Sequence, residues 1–403
     1  MPALAIRAYT ATTALGRGRA AQADALRERR SGLRRNDFHN NGATAAARLE
    51  TWIGRVDGLE DAPLPDEFAH WDCRNNRLAW VALQHDGVMD AVVAARERHG
   101  AERVALVIGT STSSIGASEE AYTRLVTGEA GITQFPDDLA RPIVHTPHSL
   151  GDFVQHATGL RGPGITVATA CSSSAKVFAQ AARMIATGLV DAALVGGVDT
   201  LCGSVLFGFN ALGLVSPRPC RPFDATRDGL SLGEAGGFAV LERAAPGEGG
   251  LQLRGYGESS DAHHMSAPHP DGLGARIAMA DALARAGIDA AEVGYLNLHG
   301  TATPANDAVE ARAVAALFPE SLHASSTKGW TGHTLGAAGI VESVFALIAI
   351  EDGLLPGTIN SDVHDEACGA QIRFDNDARE VRYAMNNSFG FGGNNSSLVF
   401  ARA

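Results

Sequence analysis

Short apolar runs alternate with longer helical patterns along this chain, and that alternation limits the fold more than any other feature of the sequence. The runs 104–108, 165–168 and 192–195 have the apolar character of short strands that are buried on both faces. A second set lies at 238–241, 251–253, 295–298 and 397–400, with helical patterns at 275–286, 307–317 and 337–350. Strands that alternate with helices in this way predict an α/β fold.

The two sets of strand-like runs indicate two α/β halves within the 403 residues. The segment 244–250 reads Ala-Ala-Pro-Gly-Glu-Gly-Gly, and such a stretch rarely continues a helix or a strand. We therefore predict an N-terminal half over residues 1–245 and a C-terminal half over residues 246–403. The halves share no repeat at the level of single residues.

The balance of charges excludes several classes of function. The chain has 33 Lys and Arg residues against 45 Asp and Glu residues, which gives a formal net charge of −12. A surface of that sign does not attract nucleic acid or anionic membranes. No apolar run approaches the roughly 18 residues that a bilayer span requires, and Arg7 interrupts the N-terminus too early for a secretory signal. We therefore expect a cytoplasmic protein that has no membrane span and no nucleic-acid partner.

The cysteines are odd in number and widely scattered, which argues against a disulfide framework. No two of them have the CxxC spacing of a thiolate zinc site. They are Cys73, Cys171, Cys202, Cys220 and Cys368. Any special cysteine among them must owe its chemistry to its surroundings.

A strand-like run ends just before Cys171 and a helical pattern begins there, so we expect Cys171 at the N-terminus of a helix. Unpaired N–H groups at the start of a helix favour a thiolate and lower the pKa of a thiol, which is the setting of a nucleophile. The alternative is a small buried core cysteine, which is a common use of the residue. This context alone leaves both interpretations open.

Two histidines stand at positions that suit a site. His299 follows a strand-like run, and strand ends are where sites of α/β sheets form, whereas His333 precedes a helix of small residues. Either histidine alone is more often a surface residue than a catalyst. A third segment, 386–394, is rich in glycine, so its backbone N–H groups can approach a ligand. Because a strand rather than a helix follows it, an oxyanion hole fits this segment better than a phosphate loop.

The segment 261–269 contains four residues that could bind a metal ion. They are Asp261, His263, His264 and His269. Their spacing matches no recognised ligand pattern, and Pro268 interrupts the segment. We therefore expect a substrate-side loop here and no metal site.

Taken together, these segments resemble the elongating β-ketoacyl-acyl carrier protein synthases of the thiolase-like superfamily, and the resemblance covers nearly the whole chain. The segments, in family order, are 169–174, 221–229 with 233–236, 299–304, 328–333 and 387–393. The resemblance implies a duplicated thiolase-like α-β-α-β-α layered fold, usually dimeric, with Cys171 as the acyl-carrying nucleophile. Initiating synthases pair His with Asn, and thiolases have a second Cys. The pair His299 and His333 therefore favours elongation with a decarboxylating extender.

The resemblance implies a decarboxylative Claisen condensation that needs no metal and no organic cofactor. Cys171 accepts the acyl group of a thioester, while its own backbone N–H and that of Phe391 hold the oxyanion. The two histidines then stabilise the enolate that malonyl-acyl carrier protein leaves when it loses carbon dioxide. By residue matching, Lys328 and Glu342 resemble the charged pair that supports the histidines, Phe391 the gating residue, and Thr301, Thr303 and Phe389 the substrate contacts.

Departures from the family pattern favour a specialised pathway over primary fatty-acid synthesis. The N-terminal strand lacks the usual Gly-x-Gly turn, and the serines at 172–174 are more similar to those of polyketide synthases. Thr112 stands where the family often has a bulky aliphatic residue at the far end of the acyl channel. A smaller side chain with a hydroxyl predicts room for rigid, unsaturated or oxygenated chains of the polyketide or polyene type.

An acyl carrier protein with acyl or malonyl cargo is the expected partner. Because this chain is itself negative, an acidic carrier requires a local basic patch, for which Arg74, Arg77 and Arg218 are candidates. An ordinary solvated helix face is the alternative for the first two. We also expect a homodimer, or a heterodimer with a synthase-like subunit. Two other functions compete: a cysteine-dependent thioester hydrolase or acyltransferase, and the chain-length-setting subunit of a synthase heterodimer, which would have lost its nucleophile.

Overall fold

Eleven strands form one large mixed sheet in the computed structural model, which describes residues 1–38, 48–128 and 131–403. Numbered in chain order, they are β1 Leu4–Thr13, β2 Gly16–Arg17, β3 Val104–Gly109, β4 Gly164–Val167, β5 Ala192–Asp199, β6 Ala235–Arg243, β7 Leu251–Ser260, β8 Val293–Asn297, β9 His323–Ser325, β10 Tyr383–Gly390 and β11 Asn394–Arg402. The order across the sheet is β9-β8-β10-β11-β7-β1-β6-β5-β3-β4, and β2 pairs with β1.

The strand order contains an internal duplication. Read inward from one edge, the first set is β4-β3-β5-β6-β1; read inward from the other edge, the second set is β9-β8-β10-β11-β7. Each set therefore places its third strand outermost, followed by its second, fourth, fifth and first. The two first strands, β1 and β7, pair antiparallel at the centre, with Leu4 opposite Leu253. The predicted duplicated fold is confirmed, and the division of the chain at 245/246 stays a prediction.

Helices cover both outer faces of the sheet and fill the space between its halves. They are α1 Gly18–Arg27, α2 Arg74–Leu83, α3 Val88–His99, α4 Ile115–Thr123, α5 Ser149–Thr158, α6 Ser173–Ala186, α7 Gly203–Ala211, α8 Leu273–Ala286, α9 Pro304–Ala315, α10 Lys328–Thr331 and α11 Ala338–Asp352. Helices α2, α3 and α5 pack on the first set of strands, and α8 packs on the second. Helices α6 and α11 contact each other and strands of both sets, which gives the α-β-α-β-α layers.

The central layer depends on small residues and on apolar helix faces. Helix α11 is buried along 338–350, as expected of a helix that is apolar on all sides. Gly339 allows it to approach α6 closely, because a Cβ atom at this position would lie 2.3 Å from the backbone nitrogen of Ala175. The amphipathic face predicted for α6, which includes Val177, Phe178 and Ile185, is buried in the same core. This contact holds the starts of α6 and α11 together.

Short strands and turns complete the fold. Leu232–Gly233, Trp52–Gly54 and Leu33–Arg35 form a three-stranded sheet. Leu354–Leu355 pairs antiparallel with Asp377–Ala378, and Val126–Thr127 forms a hairpin with Thr133–Gln134. In the described ranges, 3₁₀ turns lie at Asp66–Trp71, Ala101–Arg103, Ala290–Glu292, Leu335–Ala337 and Phe391–Gly393. Across the described ranges, every helix is too short or too polar to cross a bilayer.

Candidate active site

Cys171 lies in the tight turn between β4 and α6. The turn places Ala170 in the left-handed region, with φ of 52°, and the hydroxyl of Ser173 braces it by donating to the carbonyl of Ala170 and accepting from the N–H of Thr169. A second chain segment closes over the turn at Gly390, where a Cβ atom would lie 2.8 Å from the carbonyl oxygen of Thr169. The nucleophile turn and the glycine-rich segment are therefore in direct contact.

The Cys171 thiol is buried, and burial raises its pKa to about 12. The positive charge of Lys328 and a hydrogen bond from the backbone N–H of Phe391 oppose this effect without overcoming it. The sequence-based expectation of a lowered pKa is thus wrong, because α6 begins two residues later, at Ser173, and desolvation of the thiolate outweighs the helix terminus. The resting sulfur is a thiol that needs a proton acceptor.

His333 provides that acceptor. Its Nε2 atom lies 3.0 Å from the Sγ atom of Cys171, and its backbone N–H donates to the carbonyl of Ser231 at 2.7 Å. Burial, followed by the charge of Lys328, lowers the pKa of His333 well below its usual value. The imidazole is therefore neutral near pH 7 and can accept a proton.

His299 follows the end of β8 and faces His333, with ring centroids 5.4 Å apart. Its Nδ1 atom lies 3.5 Å from Nζ of Lys328, which can only donate, so the remaining proton of a neutral ring is on Nε2. Burial, then Lys328, then His333 lower the pKa of His299 well below its usual value. This histidine is therefore a neutral hydrogen-bond donor.

Lys328 and Glu342 form a buried ion pair beneath the histidines. Both side chains are almost fully shielded from solvent. Burial raises the pKa of Glu342 to about 7, although the nearby Lys328 ammonium opposes the rise. The pair carries a positive charge next to His299 without leaving that charge unpartnered, which would be costly at this depth.

Cys171, His299 and His333 open into one cavity of about 340 Å³. Thr301, Thr303 and Phe389 line it, as does Phe391, whose ring stacks on that of Phe209 with centroids 5.7 Å apart. Within the described ranges, Cys171, His299 and His333 are also the only group of three potential metal ligands, with donor atoms all within 4.8 Å. Asp261 instead accepts hydrogen bonds from Asn395 and from the backbone of His269.

The candidate docking arginines and Thr112 lie away from this cavity. Arg74 pairs with the buried Glu234, Arg77 with Asp72 and Arg218 with Asp228. The hydroxyl and the backbone N–H of Thr112 both bond to the buried carboxylate of Asp199. The docking and pocket roles of these four residues stay predictions.

Sequence reasoning missed Glu310, which holds the loop that carries His299. Its carboxylate accepts the backbone N–H of His299 at 2.8 Å and that of Gly300 at 2.7 Å. Burial raises the pKa of Glu310 to about 7 against these bonds. The spacing of Asp307 and Glu310, three residues apart at the start of α9, could have indicated two carboxylates on one helix face.

The layered duplicated fold and the buried Cys-His-His cluster define a condensing enzyme of the thiolase-like class. A family model for the β-ketoacyl synthase N-terminal domain matches residues 3–246, and one for the C-terminal domain matches residues 251–362. The chain belongs to the β-ketoacyl synthase family.

Relatives with assigned names share this family. 3-Oxoacyl-[acyl-carrier-protein] synthase 2 of Coxiella burnetii is 38% identical over 355 residues, which cover 84% of this chain and 82% of the relative. The enzyme of the same name from Vibrio cholerae is 40% identical over 263 residues, and there the match spans only 63% of the relative and 60% of this chain. A solved ketosynthase, ApeO of Xenorhabdus doucetiae, in complex with its chain length factor ApeC, superposes with a TM-score of 0.87 at 36% identity and covers 100% of this chain and 98% of that one.

Proposed function

We propose that this protein is a β-ketoacyl-acyl carrier protein synthase that condenses an acyl thioester with malonyl-acyl carrier protein through an acyl-Cys171 intermediate. The observation that carries the proposal is the 3.0 Å approach of His333 Nε2 to Cys171 Sγ, with His299 facing the same cavity. A nucleophile, a neutral base and a neutral hydrogen-bond donor are the groups that this reaction requires.

In the first half-reaction the Cys171 sulfur attacks the acyl carbonyl. His333 takes the thiol proton during the attack and returns it to the sulfur of the leaving carrier thiol. The backbone N–H groups of Cys171 and Phe391 hold the oxyanion of the tetrahedral intermediate. The products are the acyl-enzyme and the free carrier thiol.

In the second half-reaction malonyl-acyl carrier protein enters the same cavity. The Nε2–H group of His299 donates to the thioester oxygen. His333 donates as well once its neutral ring carries the proton on Nε2 instead of Nδ1, so loss of carbon dioxide leaves a stabilised enolate. The enolate carbon attacks the acyl carbonyl, the bond to sulfur breaks, and Cys171 leaves as a thiolate that takes up a proton from solvent water. Thr301, Thr303 and Phe389 line the cavity along which we place the pantetheine arm.

The pathway proposed is fatty-acid or polyketide/polyene-type biosynthesis, with the second favoured. The solved ApeO protein, which aligns with the whole of this chain, is a ketosynthase in complex with a chain length factor. A cytoplasmic location is part of the proposal, and the five free cysteines suit a reducing compartment. The carrier cargo and the choice between a homodimer and a heterodimer belong to it as well.

An exposed apolar surface around α4 suits contact with a partner subunit. Large apolar side chains are exposed on α4, on the hairpin that follows it, and at the end of α7, which contacts α4. They include Ile115, Tyr122, Leu125, Val126, Ile132 and Leu212. Exposed apolar groups of this kind mark interaction sites, and a subunit of the same fold is the proposed occupant.

The alternatives make different products. A thioester hydrolase would release the free acid and need water in a cavity whose lining is mainly apolar. A chain-length-setting subunit would not be acylated, and the presence of Cys171 speaks against it. Neither is supported by a specific contact in the described structure.

The test is incubation with a panel of acyl- and malonyl-carrier proteins, followed by mass spectrometry of intact protein, peptides and products. We expect acyl mass on Cys171 only, and a β-ketoacyl product that Cys171→Ala abolishes and Cys220→Ala retains. Free acid without a β-ketoacyl product would support hydrolysis instead. Acyl mass on Cys202 or Cys220, or full turnover by Cys171→Ala, would overturn the proposal.

A further inference from the structure

The chain contains only two lysines among its 403 residues, Lys176 and Lys328. Lys328 supports the histidines, as described above. Lys176 lies on α6, five residues after Cys171, and takes no part in the chemistry proposed so far. Its neighbours explain why an ammonium group stands at this position.

Lys176 is connected to the loop that covers the nucleophile. Its Nζ atom donates to Oδ1 of Asn394 at 3.1 Å, and Nδ2 of the same Asn394 lies 3.4 Å from the carbonyl oxygen of Phe391. Asn394 is the first residue of β11, so it ends the turn Phe391–Gly393. One side-chain amide thus links the helix of the nucleophile to the backbone of Phe391.

The N–H group of Phe391, on the other side of its backbone from the carbonyl, is the group next to Cys171. The N–H of Phe391 donates to the Cys171 sulfur, whereas the carbonyl of Phe391 accepts from Asn394. The next residue, Gly392, donates its N–H to the carbonyl of Met265 at 2.7 Å. Because the turn contains two glycines with positive φ, its own backbone restrains it weakly. These bonds therefore help to position it, together with those that the Gly393 carbonyl accepts from the Asp261 N–H at 2.9 Å and from the Asn395 side chain at 3.2 Å.

Partial burial makes this position unfavourable for the charged ammonium group of a lysine. Lys176 is half-buried, and desolvation lowers its pKa, followed by the charge of Arg183, while Glu258 raises it. Glu258 already forms an ion pair with Arg183. The hydrogen bond to Asn394 is therefore the specific polar contact that compensates for the partial burial of the Lys176 ammonium.

We propose that Lys176 is a positioning residue that acts through Asn394 to hold the Phe391 turn against Cys171. It aligns the Phe391 N–H with the oxyanion and keeps the Phe391 ring stacked on that of Phe209 in the lining of the cavity. This inference rests on the proposed function for its kinetic consequence but not for its effect on the thiol.

The first test needs no substrate. Since the Phe391 N–H lowers the pKa of the Cys171 thiol, releasing the turn raises that pKa and slows alkylation by iodoacetamide at a fixed pH. We expect Lys176→Met and Asn394→Leu each to slow alkylation about threefold or more, and the double variant to be no slower than the worse single variant. Lys176→Arg restores a donor and should recover most of the rate.

The second test uses acyl transfer. In Lys176→Met we expect the single-turnover rate of Cys171 acylation from a small acyl thioester to fall on the order of tenfold, the scale of one weakened oxyanion donor. The matched control is Arg161→Met, which removes an exposed cation that pairs with Glu102 and not with Asn394 or Glu258. It should remain within about twofold of the parent in both assays.

The outcomes distinguish a failure of the proposed function from a failure of the positioning role proposed for Lys176. If the parent is not acylated at all, the proposed function fails, while the alkylation assay still decides the role of Lys176. Alkylation and acylation rates in Lys176→Met within twofold of the parent, equal losses in Arg161→Met, or additive losses in the double variant would overturn the inference. Should Lys176→Met fail to fold, Asn394→Leu and Lys176→Arg provide the same comparison.

Discussion

The Nε2 atom of His333 lies 3.0 Å from the Sγ atom of Cys171, and burial keeps both groups uncharged at rest. In the proposed reaction, Cys171 is therefore activated by a neighbouring base at the moment of attack and not by a standing thiolate. This arrangement suits a buried cavity, where a permanent thiolate would be costly to desolvate.

The raised pKa of Cys171, about 12, predicts the pH dependence of its alkylation. Only the thiolate reacts with iodoacetamide, and its population grows with pH as long as the pH is below the pKa. The alkylation rate should therefore rise about tenfold per pH unit from about pH 7 to about pH 9, without a plateau. Peptide mapping with Cys171→Ser as the control assigns the signal, and a midpoint below pH 9 would contradict a raised pKa.

His333→Ala should abolish release of carbon dioxide from malonyl-acyl carrier protein. The variant removes both the base for acylation and one of the two donors to the enolate, so the loss should be on the order of 10²- to 10⁴-fold. Trapping labelled carbon dioxide measures it directly. The exposed His70 provides the control variant His70→Ala, which should match the parent. Parental release by His333→Ala would show that the assigned role is wrong.

Glu310→Gln should change how stability depends on pH. Burial raises the Glu310 pKa to about 7, above its value in the unfolded chain, so folding favours the protonated form. That stabilisation is complete below about pH 4 and is lost as the pH rises through about 7. Urea unfolding gives the free energy of unfolding at pH 5 and at pH 8 for each protein. The difference between these two values should be smaller in the variant than in the parent by about 1 to 3 kcal/mol. An identical difference in both proteins would contradict the raised pKa.

The candidate docking arginines should behave differently from one another. Arg74→Glu breaks an ion pair with the fully buried Glu234, so we expect about 3 to 5 kcal/mol of lost stability. Arg218 is exposed and pairs with the half-exposed Asp228, so Arg218→Glu should fold normally. If Arg218 contacts the carrier protein, its reversal raises KM for carrier-bound substrate and leaves KM for a small acyl thioester unchanged. Equal KM values of the parent and of Arg218→Glu for the carrier-bound substrate would show that Arg218 is not part of the docking site.

Much of the fold could be predicted from the sequence, because buried strands and amphipathic helices leave periodic apolar patterns. The strands at 104–109, 192–199 and 235–243 coincide with apolar runs, and α6 buries its predicted face. Strand β10 was not predicted as a strand. Its residues Asn386 and Asn387 are fully buried yet polar, since hydrogen bonds of their side chains to α11 and to Glu310 replace apolar packing.

The site could be predicted only in part, for a different physical reason. Cys171, His299 and His333 stand in recognisable local patterns, and the structure brings the three together in one cavity. The thiol pKa was predicted with the wrong sign, because local sequence shows the helix terminus but not the depth of burial. Glu310 and Lys176 contact groups that are distant in the sequence or lie on another element, so only the folded chain reveals these contacts.

Two variants of Thr112 test whether this residue selects the acyl chain of the substrate. Its hydroxyl bonds to Asp199, so it is not free to contact a substrate while that bond persists. Thr112→Val removes the hydrogen bond at nearly constant size and should cost about 1 to 3 kcal/mol of stability, whereas Thr112→Ile also adds volume. If the position limits the channel, Thr112→Ile lowers kcat/KM for conjugated-enoyl relative to saturated acyl carrier proteins, and Thr112→Val does not. The same preference ratio in the parent and both variants would show that Thr112 secures the Asp199 loop and does not select the substrate.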